Sequence, residues 1–274
     1  MTRRGRPSLR GNAIDESRGG AEGRYIYGVV RPADALSISS PGVGDGGAPV
    51  GVVSHGDLGA LVSPFGGEVV KANRRNLTAH SDVLQEALEA TTVVPMRFGV
   101  VMPSEQAVVE ELLRVRHDEL GGLLDSVAGR VELSVKAFYR GDVALREVLR
   151  DDPAIARLSR ATRGQPEAAT YYDRVRLGEL VADAVRAKRL ADAAPILERL
   201  RPIAQHVVVD EELPERMVLK AAFLVERERL PEFDRAVDEI ARDGSERLQL
   251  KYLGPLAAHT FATLSLPVRA GSAA

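Results

Sequence analysis

The pattern of hydrophobic and polar positions in the first part of the chain is that of short strands. Residues 24–30 are aromatic and β-branched, which is typical of a β-strand, and Pro32 closes the run. Residues 50–55 and 58–63 predict two more short strands. Gly56 lies between them, where a tight hairpin turn needs a positive φ. The first part of the chain is therefore predicted to form three strands.

The hydrophobic period then changes to that of a helix. Apolar residues recur at helical spacing between residues 74 and 90 and predict an amphipathic helix. Residues 91–102 are β-branched and apolar and predict a further strand, in which Pro95 favours an edge or a bulge because it cannot donate to the ladder. Ser104 is a plausible N-cap for a leucine-rich helix that runs to about residue 124.

The second half of the chain predicts strands and helices in a different order. Its elements are a strand at 131–139, helices at about 142–161 and 170–200, strands at 207–209 and 217–225, a helix opened by Pro231 and stopped by Gly244, and a strand at 249–253. This is the βαββαβ order of a ferredoxin-like unit. We therefore predict an α+β fold with two domains, at 24–130 and 131–256, the second a modified ferredoxin-like unit. Residues 1–23 are predicted to be a disordered basic tail and 257–274 a C-terminal tail.

Composition limits the classes of function that such a fold could serve. Hydrophobic residues make up 45% of the 274 positions and charged residues 28%, the mix of a soluble globular protein. A formal net charge of -2 argues against a general nucleic-acid binder. The chain has no Cys, which excludes disulfides, thiol catalysis and thiolate metal sites and fits the cytoplasm. The longest uncharged run, residues 252–268, is broken by Gly254 and two prolines, so we expect no transmembrane segment.

Candidate chemical motifs in the sequence are incomplete. Gly42, Gly44 and Gly47 satisfy G-x-G-x-x-G, but a predicted strand follows where a dinucleotide site needs a helix N-terminus, so we predict a flexible connector. The long helix at about 170–200 interleaves basic with acidic residues, which is typical of a solvated face. The histidines do not have the spacing of a metal site; they are His55, His80, His117, His206 and His259. We expect no catalytic residue, no metal site and no cofactor.

The order of several segments resembles one protein family. The segments are Y-I-Y-G-V-V near the start, G-D-L-G-A-L-V in the hairpin, V-V-P-M-R-F-G-V-V after the amphipathic helix, and V-E-L-S-V-K-A-F-Y at the start of the second half. Together they resemble the gas vesicle protein F/L family (GvpF/GvpL), over about residues 24–256. The most specific part is Pro95, Met96, Arg97, Phe98 and Gly99, because a Pro followed by a lone Arg is unusual inside an apolar strand.

These five residues are the candidate family motif or partner-contact site. A buried Arg97 would have to find partners for its charge, whereas an Arg97 on an exposed edge beside Pro95 would not. Both alternatives are compatible with the sequence. The resemblance weakens after Leu253, Gly254 and Pro255, where the chain departs from the pattern of the family.

The resemblance implies a minor or accessory structural protein that is required for gas vesicle assembly. The partners that it implies are the small hydrophobic shell protein and other gas vesicle assembly proteins, with no nucleic acid and no membrane. It also implies no enzymatic activity, and a location in the cytoplasm and at the gas vesicle. The alternative is a ligand-binding or regulatory ferredoxin-like protein unrelated to gas vesicles, since such folds serve many functions.

Overall fold

Aromatic and β-branched residues build the first of two antiparallel sheets. The computed structural model describes residues 23–32, 36–44, 46–67, 69–214, 216–262 and 264. The strands of the first sheet are β1 (Gly23–Val30), β2 (Gly51–His55), β3 (Leu58–Phe65), β4 (Val93–Pro95) and β5 (Val101–Met102). They are arranged in the order β2-β3-β1-β4, with β5 also paired to β1. The predicted first strand and hairpin are confirmed, and Gly56 in the hairpin turn has a φ of 59°.

Helices cover both faces of this sheet. They are α1 (Arg74–Ala90), the single turn α2 (Glu105–Ala107), a π-helical segment (Val108–Arg114) and α3 (His117–Val127). Tyr25 and Tyr27 of β1 pack with α1, whereas Ile26 and Val29 pack with α3, and all four side chains are fully buried. A strand that is buried on both faces has no solvent side for polar residues, which explains its uninterrupted apolar run.

Two predicted elements of this half are divided in the structure. The strand predicted at 91–102 is two strands, because residues 96–100 bulge out where β1 offers only two residues opposite them. The predicted leucine-rich helix starts after Ser104, whose hydroxyl accepts the N–H of Ala107 at 3.1 Å, but the π-helical segment interrupts it. The wider π turn leaves the adjacent Leu112 and Leu113 both fully buried.

The second sheet has four strands in the order β7-β8-β6-β9, all antiparallel to their neighbours. They are β6 (Arg130–Tyr139), β7 (His206–Val209), β8 (Met217–Glu226) and β9 (Leu248–Leu256). The helices are α4 (Val143–Asp151), α5 (Pro153–Thr162), α6 (Glu167–Leu200) and α7 (Leu230–Asp243), with short 3-10 turns at Arg201–Ile203 and Arg227–Arg229. Strands and helices therefore follow one another in the predicted order.

The helix predicted at 142–161 is also divided, at Asp152. The carboxylate of Asp152 accepts the N–H groups of Ala154 and Ile155 at 2.8 and 3.1 Å and so caps α5. Pro153 is tolerated at the first position of α5 because no helical partner exists there for an N–H group. The chain turns at this point, and α4, α5 and α6 pack against one another.

One hydrophobic core joins the two sheets. The cluster that contains Tyr25 and Leu84 of the first half also contains Val131 and Phe223 of the second. The sequence predicts a tail from residue 257, but Ala257, Ala258, Ala262 and Leu264 are buried instead. Two hydrogen bonds hold this segment to β6: the carboxylate of Glu132 accepts the N–H of Thr260 at 2.6 Å and the Thr260 hydroxyl at 2.7 Å. Of the predicted tails, 1–23 and 257–274, residues 1–22, 263 and 265–274 lie outside the described residues.

Candidate protein-interaction site

The segment that sequence singles out, Pro95 to Gly99, begins inside the first sheet. Pro95 is paired with Gly28 of β1, and β4 lies at the end of the sheet order, as a strand proline requires. The N–H of Met96 donates to the carbonyl of Tyr27 at 2.8 Å, and the Met96 side chain is fully buried among the residues that pack with α3. These first two residues of the segment are therefore part of the core.

The end of the segment closes over a buried aromatic cluster. The ring of Phe98 lies 6.1 Å from that of Tyr25 and 5.7 Å from that of His80, both edge to face. Gly99 has a φ of 93°, and its N–H donates to the Tyr25 hydroxyl at 3.1 Å. That hydroxyl lies 2.9 Å from Nδ1 of His80. The Tyr25 hydroxyl therefore links the backbone of Gly99 to the imidazole ring of His80.

Burial keeps this hydrogen-bonded chain uncharged. Burial raises the pKa of Tyr25 well above its usual range, so the phenol stays protonated. Burial lowers the pKa of His80 to about 4, and the nearby His259 acts in the same direction. Nε2 of His80 makes no hydrogen bond within the described part of the chain, although the Met96 carbonyl favours the protonated ring. The arrangement positions the backbone of the 95–99 segment and supplies neither a nucleophile nor a charged acid–base group.

Arg97 is the member of the segment that points to solvent. Its side chain is exposed, and no hydrogen bond or ion pair connects it to the residues that the structure describes. This is the exposed alternative of the two that the sequence allows. A partner could reach the segment through the Arg97 guanidinium and the half-buried edges of Phe98 and Gly99, but not through Pro95 or Met96, which are buried.

The glycine-rich loop predicted as a flexible connector is fastened to the core. The N–H of Val43 donates to the Tyr27 hydroxyl at 2.7 Å, and the N–H of Gly44 donates to the Asn76 side chain at 3.3 Å. A Cβ on Gly42 would lie 2.6 Å from the Ala48 carbonyl, so the loop can pack this closely only with glycine there. The residues that hold the loop, Tyr27 and Asn76, are distant in sequence, so this attachment could not be predicted from the local pattern. A strand does follow the loop, as predicted.

A carboxylate of α1 binds the residues just before this glycine-rich loop. Glu86 accepts the N–H of Ser39 at 2.7 Å, the hydroxyl of Ser39 at 2.7 Å and the N–H of Ser40 at 2.8 Å. These hydrogen bonds, those of Ser39 foremost, lower the pKa of Glu86 to about 2. The loop thus lies against α1, and none of its described residues forms a helix N-terminus that could bind a pyrophosphate.

An ion-pair network joins α6 to α4 and to the residue before β9, and the sequence does not reveal it. Glu147 of α4 accepts from Lys188 at 2.6 Å and from Arg247 at 2.8 and 2.9 Å. Asp192 accepts from Arg247 at 3.0 Å and from the Tyr139 hydroxyl at 2.8 Å. The hydrogen bonds from Arg247 lower the pKa of Glu147 to about 2. Charges of both signs are satisfied within the network, which therefore fixes α4 and α6 to the end of the second sheet.

His117 connects two elements of the first half. Nε2 of His117 lies 2.8 Å from a carboxylate oxygen of Asp57, which joins α3 to the hairpin turn. Among the described residues, no group of three or more His, Cys, Asp or Glu side chains could hold a metal ion. Nor does any helix in those ranges combine the length and the apolar character that a membrane crossing requires.

Comparisons with known proteins agree over nearly the whole chain. The family model described as gas vesicle synthesis protein GvpL/GvpF matches residues 23–263. Gas vesicle protein F of Streptomyces sp. (strain CB03234) is 35% identical over 238 residues, which are 86% of this chain and 98% of the relative. Gas vesicle protein F of Nostoc sp. is 28% identical over 247 residues, 89% of this chain and 100% of the relative.

Solved structures show the same likeness in three dimensions. The crystal structure of GvpF from Anabaena sp. PCC7120 matches with a TM-score of 0.77 at 27% identity, and covers 89% of this chain and 100% of that one. The structure of GvpF from Microcystis aeruginosa matches with a TM-score of 0.74 at 27% identity. Together, the fold, the order of the segments and the full-length matches show that this chain belongs to the gas vesicle GvpL/GvpF family and has a gas-vesicle-associated role.

Proposed function

We propose that this protein is an accessory structural protein of gas vesicle assembly that binds the small hydrophobic shell protein. The observation that carries the proposal is the match of the family model to residues 23–263, because it spans both sheets and all the helices between them. The proposal places the protein in the cytoplasm with other assembly proteins and at the gas vesicle. It assigns the protein no enzymatic activity.

The physical reason for such a protein is the character of the shell subunit. A small protein that exposes a large apolar face aggregates unless a partner covers that face before assembly. An accessory protein can do this with exposed apolar residues beside charges that orient the partner. Both kinds of group occur here, since Leu190 is 70% exposed and Arg97 points to solvent.

We further propose that the chain comprises two α+β units, and that the second is ferredoxin-like. In support, the elements from β6 to β9 follow the βαββαβ order, and the two strands that flank the first crossover, β6 and β7, are separated in the sheet by β8. The three helices α4, α5 and α6 stand where the ferredoxin-like unit has one, so the unit is a modified one.

The experiment is co-expression of the full chain with the small shell protein, followed by affinity purification from the soluble fraction. Retention of shell protein by the tagged chain, and not by the tag alone, is the expected result. Failure to retain it while it is soluble would contradict the proposal. The variant Arg97→Glu, in the same experiment, tests the 95–99 segment: lower retention supports contact there, and unchanged retention argues against it.

A further inference from the structure

A continuous trough runs along one side of α6. It consists of two adjoining cavities of about 480 and 1020 Å³, which meet at Arg186 and Arg189 because both residues line both cavities. The lining of α6 follows a row of residues four apart, namely Val181, Val185, Arg189, Ala193 and Leu197. Such a row forms a ridge inclined to the helix axis, and this one extends about 24 Å along the helix. We call this surface the α6 trough.

The trough leaves apolar surface open to solvent. Leu190, beside the row, is 70% exposed, and Ala194 is exposed as well. Ala193 and Leu197 of the row pack on the core together with Ile196 and Leu200, so the trough runs along the border of the face by which α6 packs on the second sheet. Among the described residues, Leu190 and Ala194 extend this apolar face into solvent.

Charges of opposite sign border the two sides of the trough. Arg186 on α6 makes no hydrogen bond or ion pair with the described residues, and Arg189 donates one hydrogen bond, to the Leu213 carbonyl at 3.3 Å. Across the trough, the carboxylates of Glu211 and Glu212 are exposed and are likewise unpaired within the described ranges.

Some other charges on the same helix are paired. Near the end of α6, Arg199 is bound to Glu239 and Asp243, each at 2.7 Å. Lys188 is paired with Glu147 of α4 in the ion-pair network described above. Arginine is enriched at interfaces and among the residues that contribute most binding energy, and the exposed Arg186 lies beside open apolar surface without a carboxylate partner in the described residues.

From this geometry we propose that the α6 trough binds an amphipathic helix of the shell protein. The bound helix carries carboxylates along the edge that faces Arg186 and Arg189 and basic residues along the edge that faces Glu211 and Glu212. The inference rests on the proposed function and adds to it the surface and the kind of element that is bound. A row about 24 Å long, in which apolar residues recur at intervals of four or eight, fits the helix-in-groove mode of recognition.

A second copy of this chain fits the trough less well than a different protein. In a two-fold pairing of α6 with itself, residues near the middle of the row meet their own counterparts. Arg189 is the middle residue of the row, with Arg186 one turn away. Such a pairing would bring four guanidinium groups together, and like charges repel in a contact of this kind.

The test compares two equally exposed apolar residues in the co-purification with the shell protein. Leu190→Asp places a carboxylate in the trough, and Val115→Asp makes the same kind of change at a 72% exposed residue outside it. We expect Leu190→Asp to lower the retained shell protein about tenfold and Val115→Asp to change it less than about twofold. Arg186→Glu should lower retention as well. Circular dichroism of each variant checks that the fold is unchanged.

A photo-crosslinker in place of Leu190 gives an independent readout on otherwise intact protein. We expect crosslinked peptides from a helical segment of the shell protein that contains Asp or Glu. Equal retention by Leu190→Asp, Val115→Asp and the parent chain would overturn the inference and leave the proposed function standing. No retention by the parent chain would overturn both. Crosslinks from Leu190 to a second copy, with a dimer mass in light scattering, would overturn it in favour of self-association.

Discussion

The 95–99 segment and the α6 trough differ in where their polar groups find partners. In the segment, the N–H groups of Met96 and Gly99 are bound to Tyr27 and Tyr25 of the neighbouring strand. In the trough, Arg186, Glu211 and Glu212 have no such partners among the described residues. A sequence that is unusual can therefore mark an internal constraint on the backbone. Charge left unpaired beside open apolar surface is the stronger indication of a contact with another molecule.

The largest expected difference between the two regions concerns their tyrosines. Tyr25 is fully buried beneath the segment, whereas Tyr172 near the start of α6 is 85% exposed. We expect Tyr25→Ala to lower the free energy of unfolding by about 3–5 kcal/mol, because it leaves a cavity and removes the partner of Gly99 and His80. Tyr172→Ala should change it by less than about 0.5 kcal/mol. Urea denaturation followed by circular dichroism measures both.

The variant Tyr25→Phe separates the contribution of the hydrogen bonds to the free energy of unfolding from that of the cavity. It keeps the ring and removes the hydroxyl that links Gly99 to His80, so we expect a loss of about 1–2 kcal/mol. If Tyr25→Ala cost no more than Tyr172→Ala, the segment would not be held from within, and the contrast between the two regions would fail.

Local periodicity was sufficient to predict most elements of the fold. The strand at β1, the hairpin and α1 have patterns that their own residues determine, and the structure has them at the predicted positions. The division of 91–102 into two strands was not predictable in this way. It depends on Gly28 and Tyr25 of β1, which are more than sixty residues away in sequence.

The candidate surfaces were harder to predict for a similar reason. Mixed charges on the long helix indicate a solvated face, and several of them do form pairs. Only the positions of α4, α7 and Arg247 decide which charges are satisfied. One signal of the trough was present in the sequence: Val181, Val185, Ala193 and Leu197 recur at intervals of four or eight. What that row would face could not be predicted, because the wall that contains Glu211 and Glu212 comes from a distant connection.

A second prediction uses pH to address the segment alone. The pKa of His80 is lowered to about 4 from the ordinary 6.5, so the unfolded chain binds the proton more readily than the folded one. Stability is therefore full above about pH 6.5 and falls as pH decreases towards 4. Between pH 7 and 5 we expect a loss of about 2 kcal/mol from this residue.

The matched measurement is urea denaturation of the parent chain and of His80→Gln at pH 7 and pH 5. Gln keeps an acceptor for the Tyr25 hydroxyl and cannot titrate, so the pH dependence of the variant should be smaller by about that amount. The window lies above the pKa of Glu86 and of Glu147, both about 2, so neither carboxylate gains a proton in the folded state there. Identical pH dependence in both proteins would mean that His80 is not buried in its neutral form.

The smallest expected effects come from two glycines that should respond in opposite directions. Gly99 in the segment has a φ of 93°, and Gly178 lies within α6; an added Cβ would meet no atom within 4 Å at either position. Gly99→Ala should lower the free energy of unfolding by about 1–2 kcal/mol, because a side chain disfavours that backbone conformation. Gly178→Ala should raise it by about 0.5–1 kcal/mol, because alanine favours the helix.

Because neither alanine clashes, the pair compares backbone conformation alone. Thermal unfolding of the two variants beside the parent chain gives the sign directly. A stabilising Gly99→Ala would show that the turn of the segment can relax to a negative φ, so that its hydrogen bond to Tyr25 does not fix it. A destabilising Gly178→Ala would show that this part of α6 gains nothing from helix propensity. Opposite signs would support a rigid segment and a regular helix beside the trough, which is the arrangement that binding of a partner helix requires.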